Sequence, residues 1–180
     1  MSKKRGKAVA TATVAPASDV QAFTFGDPTP VLDGRDLLDY IEAWRNGKWY
    51  EPPVSLDGLA KSFRSTPHHS SAIQVKVNIL TSMFKPHALM SRETFGAWVL
   101  DFLIFGSAYL EQPRNRLGKR MPLKHALAKY MRRGCDDLDV YFFVQSWKEP
   151  HEFAKGSVFQ LRQPDVHQEI YGLPEYLSAL

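Results

Sequence analysis

Apolar positions recur at helical spacing in several stretches of the chain. Ser91 can cap a helix in which Phe95, Trp98, Val99, Phe102 and Leu103 follow the i, i+3, i+4, i+7, i+8 pattern, and Gly106 suits its carboxyl end. Ser55 opens a shorter helix that groups Leu56, Leu59, Ala60 and Phe63. Asp33 caps another, with Leu37, Leu38, Ile41 and Trp44 on one face and "GKWYEPP" ending it. The stretch "HHSSAIQVKVNILTSMF" carries two patterns at once. Ile73, Val75, Val77 and Ile79 alternate as in a strand, whereas Ala72, Lys76, Ile79, Leu80 and Met83 form a helical stripe; its length favours the helix.

Beyond Gly106 the period changes. "SAYLEQ" reads as a strand, followed by a turn around "RNRLGKR" that contains Gly118. "LAKYMRR" is a candidate strand, "DVYFFVQSW" a clear one, and "HEFAKGSVFQL" gives two strands around Lys155-Gly156. The chain closes on "HQEIYGLPEYLSAL", where Pro174 suits a first helical turn, Glu175 complements the helix dipole, and Tyr176, Leu177 and Leu180 follow at helical spacing. That helix stops after about two turns, which is marginal in isolation, so apolar surface is expected to be exposed there. Helices first and mostly antiparallel strands afterwards imply an α+β fold. No internal repeats stand out.

The apolar stretch over 95–110 is shorter than the roughly 20 residues of a membrane span, and Asp101 interrupts it. It reads as a buried helix running into a strand, in a protein with no membrane association. Residues 1–18 have few large apolar groups and no periodicity, which predicts a disordered basic tail ahead of one domain over 19–180. No secretory signal is apparent, and the single cysteine, Cys135, excludes an internal disulfide.

Net charge is +4, but its distribution is more informative than its sum. The first seven residues hold Lys3, Lys4, Arg5 and Lys7, and residues 112–135 hold eight bases and no acid. Those eight are Arg114, Arg116, Lys119, Arg120, Lys124, Lys129, Arg132 and Arg133, and the rest of the chain is correspondingly acidic. Such polarity suits a charged partner or another copy of the chain. Interleaved Leu, Met and Tyr leave nucleic-acid contact open as an alternative.

Catalytic patterns are missing from the sequence. No two of the 11 glycines are separated by a single residue, and no glycine-lysine-serine/threonine string occurs, so a phosphate-binding loop is not expected. His68 and His69 are adjacent and would point about 100° apart on a helix, which suits caps or surface better than a metal; His87, His125, His151 and His167 are scattered. "CDDLD" gathers Asp136, Asp137 and Asp139 without the remaining ligands of a calcium loop, and reads as a solvated turn or as partners for nearby bases. Acids around Cys135 would raise its thiol pKa rather than activate it. No enzyme, cofactor or metal site is expected.

Taken in order, "FTFGDPTPVLD", "WYEPPVSLDGLAKSFR", "HHSSAIQVKVNIL", "FGSAYLEQPRNRLGK", "LAKYMRRG", "YFFVQ", "KGSVFQLRQPD" and "QEIYGLPEYLSAL" resemble the portal, or connector, proteins of tailed bacteriophages of the PBSX type. The resemblance runs from about residue 20 to the end. It implies the outer, wing-like α+β part of a subunit in a homo-oligomeric ring, typically of twelve in that family. The ring sits at one capsid vertex of the virion and is assembled in the host cytoplasm. Double-stranded DNA passes through it during packaging and ejection. Capsid and scaffold proteins, the terminase and tail-connecting proteins are the implied partners.

The stem, clip and tunnel segments have no counterpart in the sequence, so the resemblance implies a truncated form or a prophage remnant. It also implies that Gly106, Tyr109 and Leu110 form the helix-to-strand corner of the wing. Arg114, Arg116, Lys119 and Arg120 would then lie in a peripheral hairpin facing neighbouring subunits or capsid. The rival reading is a stand-alone nucleic-acid-binding module.

Overall fold

The computed structural model describes residues 43–145, 149–166 and 168–179. The basic tail and the greater part of the helix expected after Asp33 fall outside the described residues. At its far end that expectation fails: Trp44 opens a strand, β1 (Trp44–Asn46), which turns through Gly47 into β2 (Trp49–Glu51). Aromatic residues on either side of a turn glycine, Trp44 before it and Trp49 and Tyr50 after it, outweigh a weak helical stripe here.

Three helices follow. In α1 (Leu56–Ser65) the Ser55 side chain accepts the Gly58 N–H, and in α3 (Arg92–Phe105) Ser91 does the same for Thr94. Between them α2 (Pro67–Met83) starts on Thr66 with a proline in its first turn. It is helical, as its length implies, but the face that packs inward is Ile73 and Val77. Much of the stripe of Ala72, Lys76, Ile79, Leu80 and Met83 faces outward, and Val75, Ile79, Leu80 and Met83 are exposed. A helix apolar on more than one side has two candidate faces, and only tertiary packing chooses between them.

The strands form two sheets rather than one run. β3 (Ser107–Glu111) is the centre of a three-stranded sheet, flanked by β4 (Lys124–Ala126) and, later in the chain, by β8 (Val158–Arg162). The five-stranded sheet runs β1-β2-β5-β6-β7, where β5 is Met131–Gly134, β6 is Tyr141–Phe143 and β7 is His151–Glu152. All pairs are antiparallel. The stretch expected as a strand over "LAKYMRR" begins as a 3-10 turn (Ala128–Tyr130) and extends only from Met131. The two strands around Lys155-Gly156 belong to different sheets.

One core joins these layers. Leu59 of α1, Ile73 and Val77 of α2, and Val99, Ile104 and Phe105 of α3 meet Tyr109, Met131 and Tyr141 from the sheets. Alternation along β6 sends Tyr141 into this cluster and Phe142 to a smaller one with Trp49 and Val144. Among the described residues no helix is long and apolar enough to cross a membrane.

The last segment crosses the whole assembly. The Tyr171 hydroxyl donates to the Tyr50 carbonyl of β2 and accepts the Arg133 N–H of β5 at 3.0 Å. Gly172 N–H donates to Ser107 Oγ at 2.8 Å, and the Tyr176 hydroxyl to the Ile104 carbonyl at 2.7 Å. The segment ends as a 3-10 turn (Glu175–Ala179) instead of an α-helix. Tyr176 and Leu177 are half-buried against the core, so the exposed apolar surface expected there is absent from those two; Leu180 lies outside the described residues.

Burial pushes the Tyr171 phenol pKa well up, which keeps its hydroxyl a donor. Tyr171→Phe should therefore cost about 1–3 kcal/mol by leaving a strand carbonyl and an N–H unpaired. Urea denaturation of the two proteins checks this; a loss below a few tenths of a kcal/mol would mean that water replaces the hydroxyl.

Candidate assembly surface

The connection from β3 to β4 is a hairpin that projects beyond the three-stranded sheet. Its base pairs Glu111 with Lys124. Farther out, Arg114 and Arg120 form an isolated antiparallel bridge, so two like charges stand opposite each other. Asn115 organises the tip: its N–H reaches the Lys119 carbonyl at 2.9 Å, and its Oδ1 accepts the N–H groups of Leu117 (3.0 Å) and Lys119 (2.8 Å). Gly118 closes the turn at φ +76°, a conformation open to glycine at little cost, and its carbonyl accepts from Arg114 Nη1 at 3.3 Å. The legs are tied down as well, by Gln112 N–H to the Ser157 carbonyl (2.7 Å) and Leu123 N–H to the Leu89 carbonyl (2.8 Å).

The eight bases that stand together in the sequence separate in space. Arg114, Arg116, Lys119, Arg120 and Lys124 are exposed on the hairpin, and among the described residues none of them pairs with an acid. Leu117 stands 91% exposed at their centre. The other three have partners within the chain. Lys129 pairs with Asp57 at 2.5 Å, which raises its pKa. Arg132 pairs with the half-buried Glu51 at 2.9 Å and also donates to the Lys129 and Met131 carbonyls, both at 3.0 Å. Arg133 donates to the Leu138 carbonyl at 2.8 Å and lies over the Tyr141 ring. Residues 112–135 therefore form no single basic surface; what they do form is an exposed cationic hairpin whose five bases make no ion pair with an acid among the described residues.

The helix-to-strand corner beneath the hairpin rests on Gly106, at φ +69°, whose N–H caps α3 on the Phe102 carbonyl. Tyr109 and Leu110 follow in β3, and strand alternation places them on opposite faces of the sheet, both buried. The Tyr109 hydroxyl accepts from Gln160 Nε2 at 3.1 Å in the adjacent β8. Sequence reasoning missed Gly172, whose backbone crosses Gly106; nothing in local spacing points to a contact between those two glycines.

The remaining candidates are accounted for locally. Asp136 pairs with Arg45 at 2.7 Å, and Lys155 donates to Asp137, holding that carboxyl below its ordinary pKa. Burial, with Asp136 adding to it, pushes the Cys135 thiol pKa up, while Arg45 works against the rise. His69 packs edge-on against Tyr176, His87 Nδ1 accepts the Leu89 N–H at 3.2 Å, and His125 meets Asp101 at 2.8 Å. Among the described residues no three His, Cys, Asp or Glu side chains converge to hold a metal.

Along its whole length the chain is 56% identical to the probable portal protein of Escherichia phage P2, of which it covers 53%. Over 93% of its length it is 23% identical to the probable portal protein of Haemophilus phage HP1, covering 49% of that protein. The chain thus spans about half the length of these curated relatives. Solved structures with a similar fold come from gene transfer agent particles. The native virion aligns with a TM-score of 0.59 at 18% identity, covering 75% of this chain and 42% of that one. The neck of the native particle computed with C12 symmetry aligns at 0.56 and 18% identity, covering 69% and 39%. The neck of the empty particle computed with C6 symmetry aligns at 0.54 and 17% identity, covering 66% and 39%. No family model matches the chain. By sequence, this chain is a homologue of phage proteins described as probable portal proteins, and it corresponds to about half of one.

Proposed function

We propose that the chain is a structural subunit of a phage portal ring, resident in the virion at the capsid vertex where double-stranded DNA is packaged and ejected. The observation that carries this is the 56% identity to the phage P2 relative over the whole chain. The fold supports it, because comparable α+β units occur in necks computed with sixfold and twelvefold symmetry. In this reading residues 19–180 form the wing-like unit of a PBSX-type portal. Neighbouring subunits and capsid or scaffold proteins contact it directly. Terminase and DNA meet the ring to which it belongs. The unit carries no catalysis and no cofactor. Exposed Val75, Ile79, Leu80 and Met83 along α2 are further support, since contiguous apolar surface marks contact with other proteins.

Co-expression with the full-length phage P2 relative tests the proposal. A tagged copy of this chain should co-purify with that portal protein and appear in its ring-shaped particles by electron microscopy. Rings that form normally and exclude the chain at every expression ratio would refute it.

The exposed cationic hairpin favours a second reading, a stand-alone nucleic-acid-binding module. Phosphate binding by its five bases would weaken steeply with salt, with a log–log slope of about −4 to −5 on duplex DNA.

A further inference from the structure

α2 has one face in the core and another that is apolar and exposed. Ile73 and Val77 point inward, whereas Val75 (56% exposed), Ile79 (55%) and Met83 (75%) stand in solvent with Ala72 beside them. Positions 72, 75, 79 and 83 follow one another at steps of three and four, so they line a single stripe. From Val75 to Met83 it runs about 12 Å along the helix. Such a stripe is a seam for a second helix.

The chain itself contains a segment of matching chemistry. The described residues begin at Ala43, and just ahead of them residues 33–42 carry the pattern of an Asp33-capped helix with Leu37, Leu38 and Ile41 on one face. Ten helical residues extend about 15 Å, enough to cover Val75 to Met83. Trp44 stands opposite Glu51 in the β1–β2 register. The segment therefore enters at the end of that strand pair where residues 52–55 lead into α1, which packs on α2. Charge agrees as well. Residues 33–42 hold Asp33, Asp36, Asp39 and Glu42 against one base, Arg35. α2 holds no acid, and on it and around it Lys61, Arg64, Lys76, Lys85 and Arg92 outnumber Glu93 and Glu175, the second of which pairs with Lys76. The cationic hairpin is the competing seat, but its tip offers one exposed apolar side chain, Leu117, to a segment with three to cover.

We propose that in the unassembled chain residues 33–42 lie on the outer face of α2, seating Leu37, Leu38 and Ile41 on Val75, Ile79 and Met83. The inference stands apart from the portal reading. Contact of the same face with other proteins then requires the segment to leave it, which makes residues 33–42 a removable cover over an assembly surface.

Thiol accessibility in the full-length chain provides the test, with Cys135→Ser as background. Ile79→Cys should react with a maleimide about 10-fold more slowly than Leu117→Cys, whose site is open, because burial of large apolar side chains resists local opening by at least that factor. Adding Leu37→Asp, Leu38→Asp and Ile41→Asp should raise the Ile79→Cys rate to that of Leu117→Cys. Val77→Cys, on the inward face of the same helix, should stay slow in both backgrounds, which separates release of the segment from unfolding. Should Val77→Cys also become fast, a disulfide decides without the aspartates: Leu38→Cys should close an intramolecular bond to Ile79→Cys and none to Leu117→Cys.

An Ile79→Cys thiol that reacts as fast as Leu117→Cys in the otherwise unaltered chain overturns the proposal. Slow reaction that disappears on dilution also overturns it, since a second copy is then the cover. Slow reaction untouched by the three aspartates does the same, since another segment then lies there. A disulfide from Leu38→Cys to Leu117→Cys instead moves the acidic segment to the hairpin and refutes its seat on α2.

Discussion

Gly172→Ala is expected to destabilise the fold severely, lowering its urea midpoint far below that of the wild type. A Cβ at Gly172 would stand 1.9 Å from the Gly106 carbonyl oxygen and 2.6 Å from Gln163 N. Both neighbours are backbone, so no side chain can swing aside. The Gln163 N–H in turn donates to that Gly106 oxygen at 2.7 Å, so relief of the clash breaks the hydrogen bond that ends the pairing of β3 with β8. Gly106→Ala meets the same crossing from the other side, with Leu173 C at 2.3 Å and a φ of +69°. Overpacking of side chains costs about 1–3 kcal/mol, and an immovable backbone pushes the figure beyond that, to about 4 kcal/mol or more. A domain of this size is stable by only about 5–15 kcal/mol in total. Gly118→Ala is the control: it also has a positive φ, but its added Cβ meets nothing, so only the conformational strain of about 1–2 kcal/mol remains. Urea midpoints of the three variants rank the effects. If Gly172→Ala lies within 1 kcal/mol of Gly118→Ala, roughly the strain alone, the close crossing is not real.

Asp101→Ala should be nearly as damaging. Asp101 is 5% exposed in the middle of α3, and its Oδ2 receives the Ala128 N–H at 2.7 Å and His125 Nε2 at 2.8 Å. One carboxylate oxygen therefore ties a helix to β4 and to the 3-10 turn that leads into β5. Removing it leaves a buried backbone donor and a mostly buried ring nitrogen without their partner, at a cost of about 3 kcal/mol. Asp101→Asn keeps an oxygen for the Ala128 N–H and should recover about half of that. Thermal melts give the ranking, and hydrogen exchange at the Ala128 amide locates the damage. Unchanged protection at Ala128 in the alanine variant would refute this account.

How far the sequence revealed these features depends on the range of the interaction involved. The capped helices were legible because Ser55, Ser91 and Gly106 act within a turn of their own residues. The hairpin turn was legible for the same reason, through Gly118 and the strand before it, but its return strand β4 precedes the stretch "LAKYMRR" that reads as one. Partnering was not. Period-two alternation in "HEFAKGSVFQL" says which side chains share a face, yet it carries no information on which sheet receives each strand, and β7 and β8 part company. Likewise the inward face of α2 was undetermined, because Ile73 and Val77 are no more apolar than Ile79 and Leu80; α1 and α3 make the choice. The basic stretch looked uniform until Asp57 and Glu51 answered the charges of Lys129 and Arg132. Asp101, read only as an interruption of an apolar run, proved to be a structural acceptor whose partners lie more than twenty positions away.

The crossing made by Tyr171 has a kinetic corollary. Its hydroxyl meets a β2 carbonyl 121 positions earlier in the chain. Entropy penalises such a distant closure only logarithmically, so the burden falls on rate more than on final stability. At about 5–20 residues per second of synthesis, β2 leaves the ribosome roughly ten seconds before the residue that completes its surroundings exists. During that interval nascent molecules display unsealed strands to one another, and dense expression should therefore favour aggregation over productive maturation.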